Sequence, residues 1–354
     1  MINKVIILRA LPWGKDSRVE RWAKIYSNKK SLFGIWGKEQ NNNIKSITNI
    51  IREPKNKFLI GIGYIWFSFM CFIFVLKNAK KGDVVVFIDL ETVLLGWLAA
   101  FIKKATIHYD IADPFYLVKP IPFKKFWKIL ESIYIYKIKL VTVPHILRYK
   151  LFFEELKQNI QVIENVPIFE KELVITQNFS SNGNITIGYF GGLEADYRGL
   201  ENLAKLVLND DRLRLIVAGS GSLSNFFEDL SKKTEKVIFH GKFNSQELPN
   251  LIKNIDIYFA YYSDLKLLHK IAAPNKFYEH LFFGKPILTS SCIPQSADIE
   301  KYNTGWCIDN DEKALIDWKN TLFKNDLDFS IYFYNCRKLW LEKYENYYDK
   351  LSFK

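Results

Sequence analysis

The segment that decides the fold is residues 272–286, which read Ala-Ala-Pro-Asn-Lys-Phe-Tyr-Glu-His-Leu-Phe-Phe-Gly-Lys-Pro. Short apolar runs at 255–261 and 287–290 flank it, and their length and composition predict buried strands. The segment itself predicts a loop, a short helix that Pro274 can begin, and a Gly-Lys-Pro turn. It therefore forms the crossover of a strand–helix–strand unit, from which parallel sheets are built.

Charged residues near the start of this helix point to a ligand. Free backbone N–H groups and the positive end of the helix dipole favour a phosphate there, and Lys276 beside Asn275 adds a full positive charge. Glu279 follows on the same face and is suited to accept hydrogen bonds from two ribose hydroxyls. The three residues predict a nucleotide site, and the alternative is an ordinary amphipathic helix with a surface Lys–Glu pair.

Strand-like runs alternate with helix-length segments along the whole chain, which has 354 residues and room for two cores. A polar stretch at 176–184 divides them into two series. We expect an α/β protein of two Rossmann-like, doubly wound domains that face a central cleft, over residues 1–175 and 185–328. Residues 329–354 predict a terminal helix that packs back on the first domain. The predicted strands are 4–9, 31–36, 84–88, 105–109, 139–143 and 160–163, then 185–190, 213–218, 236–240, 255–260 and 286–290.

Ligands of such folds bind beyond the carboxyl ends of the strands, so the loops that follow the strands are the candidate sites. Glycines in two loops of the second series would let a ligand approach the backbone, and Arg198 could hold a diphosphate with two hydrogen bonds. A third loop could hold a base. Tight turns are the alternative for each loop. The candidates are Gly191, Gly192, Arg198, Gly219, Gly221, Lys242 and Phe243.

Two carboxylates, Asp110 and Asp113, follow a strand of the first series and could supply a general base. The alternative for this pair is a helix cap and a turn. The five histidines and four cysteines show no metal-ligand spacing, and we expect neither a metal site nor disulfides. The absence of a Gly-x-x-x-x-Gly-Lys-Ser/Thr loop argues against kinase or ATPase chemistry.

Positive charge is concentrated in the first part of the chain. Residues 1–150 hold 26 Lys and Arg against 10 Asp and Glu, a net of +16, whereas the remainder has a net of −4. The candidate partners of this basic half are nucleic acid and an anionic membrane surface. Lysines interleaved with aromatic residues at 123–128 favour the membrane. The alternative is a solvated helix face with aromatic residues in the core.

Residues 58–76 contain no charge and are long enough to cross a bilayer. They lie, however, between the predicted strands 4–9 and 84–88, which should belong to one sheet. A crossing would place these strands on opposite sides of the membrane. We therefore expect a buried crossover helix or one that dips into the membrane interface. The first residues predict a strand rather than a signal peptide, and with free cysteines this indicates a reducing, cytoplasmic location.

Taken in order, these segments resemble bacterial glycosyltransferases of the GT-B fold, close to glycosyltransferase family 4. Residues 16–19 resemble the family's Asp-x-Arg-Val segment. Residues 88–92 resemble its His-Asp-Leu-x-Thr element, with Ile88 in place of His. Residues 109–113 resemble its Tyr-Asp-x-His-Glu element, with Ala112 in place of His. Residues 188–200 resemble the donor-diphosphate loop, and 274–286 the donor motif Pro-x-Lys-x-Tyr-Glu with its Gly-x-Pro turn.

The resemblance implies a hexosyltransferase-like enzyme that moves a sugar from a nucleotide-diphosphate donor, with UDP preferred to GDP or dTDP. The second domain would bind the donor, and the first would bind a lipid-linked or cell-surface glycan acceptor in polysaccharide biosynthesis. Such an enzyme would be peripheral at the cytoplasmic face of the plasma membrane, with no cofactor, no metal and no nucleic-acid partner.

The resemblance leaves the stereochemistry of transfer open. Family members often carry two glutamates eight residues apart; Glu279 matches the second, and the first would fall at Ile271. A retaining enzyme would depend on positioning and on stabilisation of the diphosphate, whereas an inverting enzyme would use Asp110 or Asp113 as base. The alternative functions are a nucleotide-sugar 2-epimerase on the same fold and a non-catalytic scaffold that binds sugar nucleotides.

Overall fold

The computed structural model describes residues 4–12, 17–27, 29–36, 45–46, 57–155, 160–169, 173, 175–177, 179, 183–195, 197–244, 246–309, 311–324 and 328–351. Asp16 of the 16–19 segment and part of the polar stretch 176–184 lie outside these residues. The chain divides into two compact units, the first of Met1–Asn165 with Tyr348–Lys354 and the second of Val166–Tyr347.

The first unit is built on one parallel sheet, whose described strands have the order β3-β2-β1-β4-β5-β6-β7. Its central strands are apolar and fully buried, as in the run of Val and Ile at 84–88, because helices cover both faces of the sheet. The strands are β1 Lys4–Arg9, β2 Lys30–Ile35, β3 Lys45–Ser46, β4 Val84–Ile88, β5 Thr106–Asp110, β6 Leu140–Val143 and β7 Ile160–Val162. The helices are α1 Ser17–Ile25, α2 Lys57–Asn78, α3 Leu90–Ile102, α4 Phe115–Val118, α5 Lys124–Lys137 and α6 Ile146–Lys150.

The second unit repeats this plan with a parallel sheet of order β10-β9-β8-β11-β12-β13. Its strands are β8 Ile185–Gly192, β9 Leu213–Ser220, β10 Val237–Phe239, β11 Ile257–Ala260, β12 Ile287–Ser290 and β13 Gly305–Ile308. Its helices are α7 Leu200–Leu208, α8 Ser224–Lys233, α9 Leu248–Lys253, α10 Leu267–Lys270, α11 Asn275–Phe283, α12 Ser296–Lys301, α13 Glu312–Lys324 and α14 Phe329–Leu339.

Both sheets have the strand order of a doubly wound nucleotide-binding fold, in which the order reverses beside the first strand. The reversal lies between β1 and β4 in the first unit and between β8 and β11 in the second. A crevice opens at each reversal, beyond the carboxyl ends of the strands. The predicted α/β class with two Rossmann-like domains is confirmed, and the sequence missed only β3 and β13 among the described strands.

The C-terminal segment differs from the sequence-based division of the chain. Helix α14 and the π-helical segment Trp340–Tyr344 that follows it pack on α11, within the second unit. The Arg337 guanidinium donates to the carbonyl of Phe282, whose ring centroid lies 5.0 Å from that of Trp340. Only Tyr348–Lys354 is grouped with the first unit, where the Tyr348 hydroxyl donates to the carbonyl of Glu164. Most of the predicted terminal helix, up to Tyr347, therefore packs on the aromatic surface of α11 in the second unit and not on the first.

Helix α2 is partly buried and partly exposed. Its inner face, with Phe67, Cys71 and Val75, belongs to the core of the first unit. The strands before and after it, β1 and β4, pair in register in one sheet. Among the described residues, Leu59–Asn78 is the one helical stretch long and apolar enough to cross a membrane by length and composition. Its outer face carries exposed apolar side chains such as Leu59 and Phe69.

Two helical glycines give a direct test of this packing. A Cβ on Gly96 of α3 would lie 2.5 Å from Cε1 of the buried Phe87 ring in β4, whereas a Cβ on Gly61 of α2 would meet no atom within 4 Å. Gly96→Ala should therefore destabilise the protein by about 1–3 kcal/mol through overpacking. Gly61→Ala should stabilise it by about 0.5–1 kcal/mol, because alanine is the better helix former. Urea denaturation of both variants checks the difference, and equal effects of the same sign would contradict the packing of α3 on β4.

Candidate functional site

The loops after β8 and β9 contact each other through their glycines. A Cβ on Gly219 would lie 1.8 Å from the carbonyl oxygen of Gly191, and one on Gly221 would lie 2.3 Å from the carbonyl oxygen of Leu193. Gly191 and Gly219 also have φ angles of 148° and 152°, in a region that side chains rarely adopt. These positions therefore require glycine. Gly192, by contrast, has open space where a side chain would project.

Backbone hydrogen bonds tie these loops into one surface. The Leu193 N–H donates to the carbonyl of Ser220 over 3.1 Å, and the Gly219 N–H donates to the carbonyl of Gly241 over 2.7 Å. The loops after β8, β9 and β10 therefore keep a fixed arrangement beside the reversal of strand order. The structure brings the predicted residues Gly191, Gly192, Gly219 and Gly221 together at this place.

The Lys276 ammonium lies against this glycine surface. A Cβ on Gly191 would lie 2.7 Å from the Lys276 Nζ, which places the ammonium group against the backbone of the loop. Burial lowers the pKa of Lys276 to about 8; Glu279 opposes this shift, and the positive charge of Arg198 adds to it. An ammonium group against loop backbone, at the N-terminus of the nine-residue helix α11 and near a second positive charge, forms a site for an anion.

Arg198 is held by its neighbours in the loop after β8. Its guanidinium carbon lies 4.8 Å from the ring centroid of Tyr262, and its Nε lies 3.8 Å from a carboxylate oxygen of Glu194. Gly199 follows as the N-cap of α7 with a φ angle of 61°, and a Cβ there would lie 2.9 Å from the ring of Tyr261. The side chain of Arg198 is therefore positioned at the same end of the sheet as Lys276.

The Glu279 carboxylate is oriented by a residue that sequence reasoning missed. The hydroxyl of Tyr258, fully buried in β11, donates to Glu279 Oε2 over 2.7 Å. Burial, and then the negative charge of Glu279, hold the pKa of Tyr258 well above its ordinary value, so the phenol remains a donor. The sequence of β11, Ile-Tyr-Phe-Ala, does not distinguish this tyrosine from an ordinary core residue. Its position on the strand that precedes the helix of Glu279 is the one usable signal.

The remaining predicted residues of the second unit lie around this centre. The ring centroid of Phe243 lies 6.3 Å from that of Phe190, which in turn lies 5.6 Å from that of Tyr258. Phe243 thus joins the same aromatic group, and Lys242 beside it is exposed to solvent. Asn275 begins α11, with Pro274 as its N-cap rather than its first residue. Ile271 is buried and supplies no carboxylate.

The structure contradicts the prediction that Asp110 is a general base. Its fully buried carboxylate accepts hydrogen bonds from Arg18 Nη2 at 2.6 Å, Arg18 Nε at 2.7 Å, Thr142 Oγ1 at 2.6 Å and Trp22 Nε1 at 2.8 Å. Burial raises its pKa, but the Arg18 charge and these hydrogen bonds outweigh burial and keep the pKa below its ordinary value. Asp110 therefore joins α1 and β6 to β5 and has no free oxygen for a substrate proton.

Asp113 differs from Asp110 in exposure. Its side chain is 41% exposed, and a carboxylate oxygen lies 2.9 Å from Nη1 of Arg148. Its backbone N–H donates to Oδ1 of Asp89 over 3.0 Å, so the position of the loop after β5 depends on Asp89. Of the two predicted carboxylates, Asp113 alone is accessible to a substrate.

Asp89 occupies the reversal of strand order in the first unit, and sequence reasoning did not select it as a site residue. It follows β4, is buried, and forms an ion pair with Arg9 at the end of β1. Its φ and ψ of 63° and 165° are strained for a residue with a side chain. Burial raises the pKa of Asp89 to about 7, against the opposing charge of Arg9. Its place at the start of α3 gives the appearance of a simple helix cap, although its side chain makes no cap hydrogen bond.

Comparison with known proteins identifies the class of this molecule. Residues 184–325 match the family model described as Glycosyl transferases group 1. The fold is similar to that of HepE from Anabaena in complex with UDP and glucose, with a TM-score of 0.69 and 15% identity over 97% of this chain and 95% of that one. It is also similar to sucrose-phosphate synthase from Thermosynechococcus elongatus, with a TM-score of 0.70 and 11% identity over 98% and 97% of the two chains.

A third similar structure is the apo form of the lipopolysaccharide outer core galactosyltransferase WaaB, with a TM-score of 0.60 and 15% identity over 98% of this chain and 100% of that one. Among curated protein sequences, none matches this chain significantly. The similar structures show that the fold is GT-B, and the family match over residues 184–325 supports a glycosyltransferase. The resemblance to GT-B glycosyltransferases that the sequence predicted is therefore confirmed.

The contrast between the two aspartates predicts opposite results from the same substitution. Asp110→Asn leaves the buried Arg18 without its counter-charge and should cost about 3–5 kcal/mol of unfolding free energy. Asp113→Asn changes a carboxylate that is 41% exposed, although its partner Arg148 is buried, and should cost less, about 1–3 kcal/mol. Urea denaturation at neutral pH measures both.

The pH dependence supplies a second test of the role of Asp110. A carboxyl with a lowered pKa in the folded state stabilises the fold fully above the ordinary aspartate pKa and loses that effect as pH falls through the lowered value. The difference in stability between wild type and Asp110→Asn should therefore shrink as the solution is acidified through this range. A difference that stays constant there, or an Asp110→Asn protein as stable as wild type, would contradict a structural role.

Proposed function

We propose that this glycosyltransferase moves a sugar from a UDP-sugar to a lipid-linked or cell-surface glycan acceptor. One observation carries the donor half of the proposal: the Lys276 ammonium lies against glycine backbone at the N-terminus of α11, with the positive charge of Arg198 near it. A diphosphate fits this arrangement because it is an anion that needs both backbone N–H groups and positive charge. Glu279, oriented by Tyr258, then accepts the ribose hydroxyls.

Three solved structures support UDP as the nucleotide. HepE from Anabaena is described in complexes with UDP and with UDP-glucose, and S. aureus MnaA is described in a complex with UDP. The aromatic group of Phe190, Phe243 and Tyr258 offers flat apolar surface for the base beside the ribose. We extend the choice of UDP over GDP or dTDP to this chain on that basis.

The charge on the diphosphate needs no metal in this proposal. Lys276 and Arg198 supply two positive charges, and the N-terminus of α11 adds a partial one. Across the residues that the structure describes, no group of three or more His, Cys, Asp or Glu side chains could hold a metal ion. Transfer that continues in the presence of EDTA would support this arrangement.

In the transfer itself, an acceptor hydroxyl oxygen bonds to the anomeric carbon while the bond from that carbon to the diphosphate breaks. We assign acceptance of the hydroxyl proton to Asp113, because Asp110 is buried and saturated with donors. This assignment applies to an inverting reaction. In a retaining reaction the diphosphate held by Lys276 and Arg198 would be the base nearest the reacting centre.

We place the protein at the cytoplasmic face of the plasma membrane as a peripheral enzyme of polysaccharide biosynthesis. The basic balance of residues 1–150, a net of +16, supports an anionic surface as partner. The four cysteines are free, as expected of a reducing compartment.

The direct test of function is incubation of the protein with radiolabelled UDP-, GDP- and dTDP-sugars and a bacterial membrane lipid extract. Label that appears in the lipid fraction from the UDP-sugar alone supports the proposal. Isomerised donor without lipid label would indicate an epimerase. Donor binding without any turnover would indicate a scaffold.

Substitutions at the donor site predict graded losses of UDP affinity. Glu279→Ala removes the acceptor for the ribose hydroxyls and should weaken binding by about tenfold to a hundredfold. Tyr258→Phe leaves the carboxylate in place without its orienting donor and should weaken binding by about threefold to tenfold. Affinity should also fall as pH rises through 8, where Lys276 loses its charge. Isothermal titration calorimetry with UDP measures all three.

The matched control is Glu312→Ala, the same substitution at an exposed helix start, where Glu312 pairs with Lys205 at the surface. Its UDP affinity should equal that of wild type. If Glu279→Ala bound UDP as tightly as this control, the assignment of the ribose site would be wrong.

A further inference from the structure

Exposed apolar side chains form two regular stripes on the first unit. On α2 the stripe comprises Leu59, Ile62, Trp66 and Phe69, which are 41–50% exposed. Their spacing of three and four residues places them on one side of the helix. The opposite side of α2 faces the core, so the helix is apolar on both faces. The second stripe lies on α5, where Phe126, Ile129, Ile133 and Tyr136 repeat the same spacing with 43–66% exposure.

Helix α3 joins the two stripes into one surface. The Leu95 N–H donates to Ser68 Oγ of α2 over 2.8 Å, and the Tyr134 hydroxyl of α5 donates to the carbonyl of Leu94 over 2.6 Å. The three helices therefore lie side by side on one face of the sheet, and all three contribute to the same core. Phe101 and Ile102 at the end of α3 are 66% and 55% exposed. We call the outer side of α2, α3 and α5 the three-helix face.

The charge around the three-helix face is almost entirely positive. Residues 57–139 contain twelve lysines and six acidic residues. Five of the six acids are buried inside the unit and cannot offset the surface lysines: Asp83, Asp89, Glu91, Asp110 and Glu131. The exposed lysines stand at the helix ends and in the adjoining turns, at Lys77, Lys80, Lys81, Lys104, Lys124, Lys125, Lys137 and Lys139.

From this combination we infer that the three-helix face docks on an anionic lipid bilayer with its helices parallel to the membrane plane. Apolar stripes enter the boundary between headgroups and acyl chains, Trp66 lies at headgroup level, and the lysines contact anionic headgroups. A second copy of the chain would bring the lysine-rich surfaces of the two copies together, so charge favours the bilayer over self-association.

The fold excludes a membrane-spanning α2. The helix connects strands of one sheet, because β1 before it and β4 after it pair in register. Its inner side chains Phe67 and Cys71 are buried in the core, and the hydroxyl of Ser68 accepts from the backbone of α3. A crossing would remove all these contacts. The helix therefore lies at the interface and does not pass through it.

The inference rests on the proposed function only for the choice of a lipid-linked acceptor, and docking can be measured without any sugar substrate. Flotation with vesicles of equimolar phosphatidylcholine and phosphatidylglycerol, at low salt, tests it on the full chain. Wild type should float with these vesicles and remain at the bottom with pure phosphatidylcholine. The double variant Phe126→Glu, Ile129→Glu should lose binding by about tenfold or more, because it places two anions in the apolar stripe.

The chain offers a closely matched control in α14 of the second unit. Ile331 and Tyr334 there are 52% and 63% exposed, against 57% and 63% for Phe126 and Ile129, with the same spacing of three residues. The variant Ile331→Glu, Tyr334→Glu changes the net charge equally and should float like wild type. Thermal melts of both variants should match wild type, since all four side chains lie at the surface. UDP affinity should be unchanged in both, which separates a failure of docking from a failure of the donor site.

Several outcomes would overturn the inference. Wild type that does not float with anionic vesicles has no docking surface, and equal losses in the two double variants would show only an effect of net charge. Resistance to alkaline carbonate extraction would show that the chain spans the bilayer. A wild-type dimer that Phe126→Glu, Ile129→Glu converts to monomer, without vesicle binding in either state, would show that the face is a self-association interface.

Discussion

The position of the Lys276 ammonium against the backbone of the glycine loop is the constraint on which the second unit's chemistry depends. Burial, and to a smaller extent the positive charge of Arg198, lower the pKa of Lys276, and the glycine loops at this end of the sheet keep bulky side chains out of the space beside it. A folded protein tolerates such an arrangement when an anion completes it. The strand order supports it, since the chain runs in opposite directions along the sheet after the neighbouring strands β8 and β11, and this leaves a crevice beyond their carboxyl ends.

The first unit uses its charges differently. Asp110 is saturated by Arg18 and its neighbours and fastens α1 to the sheet, while Asp89 fixes Arg9 and the loop of Asp113 at the reversal of strand order. Most of its acidic groups between residues 57 and 139 are internal, and most of its lysines there remain on the surface. The same distribution that builds the core thus leaves a basic, apolar exterior. Donor chemistry and surface binding are thereby assigned to separate units.

Local pattern was sufficient for much of this architecture. The five apolar residues Val84–Ile88, which lie between turns, predict a buried strand, and the structure forms one there. The Gly-Lys-Pro turn ends α11 because Gly284 adopts the left-handed conformation that closes a helix. Short or amphipathic strands such as β3 and Gly305–Ile308 lack that signal. The glycine loops, Lys276 and Glu279 were identified because their residue types and order have chemical meaning without tertiary information.

The sequence could not predict side-chain contacts between residues that are far apart along the chain. Asp110 was predicted to be a base because the sequence does not show that Arg18, 92 residues earlier, pairs with it. Tyr258 was not selected as a site residue because Glu279, with which it forms a hydrogen bond, lies 21 residues further along the chain. Helix α2 could not be assigned to core or surface, because only its packing on α3 shows which side remains exposed.

The most direct measurement of the central claim is an experimental structure of the protein with UDP bound. We expect the diphosphate to lie against Gly191, within hydrogen-bonding distance of Lys276 and Arg198, with both ribose hydroxyls on the carboxylate of Glu279. UDP bound elsewhere on the chain, or bound with its ribose away from Glu279, would contradict it.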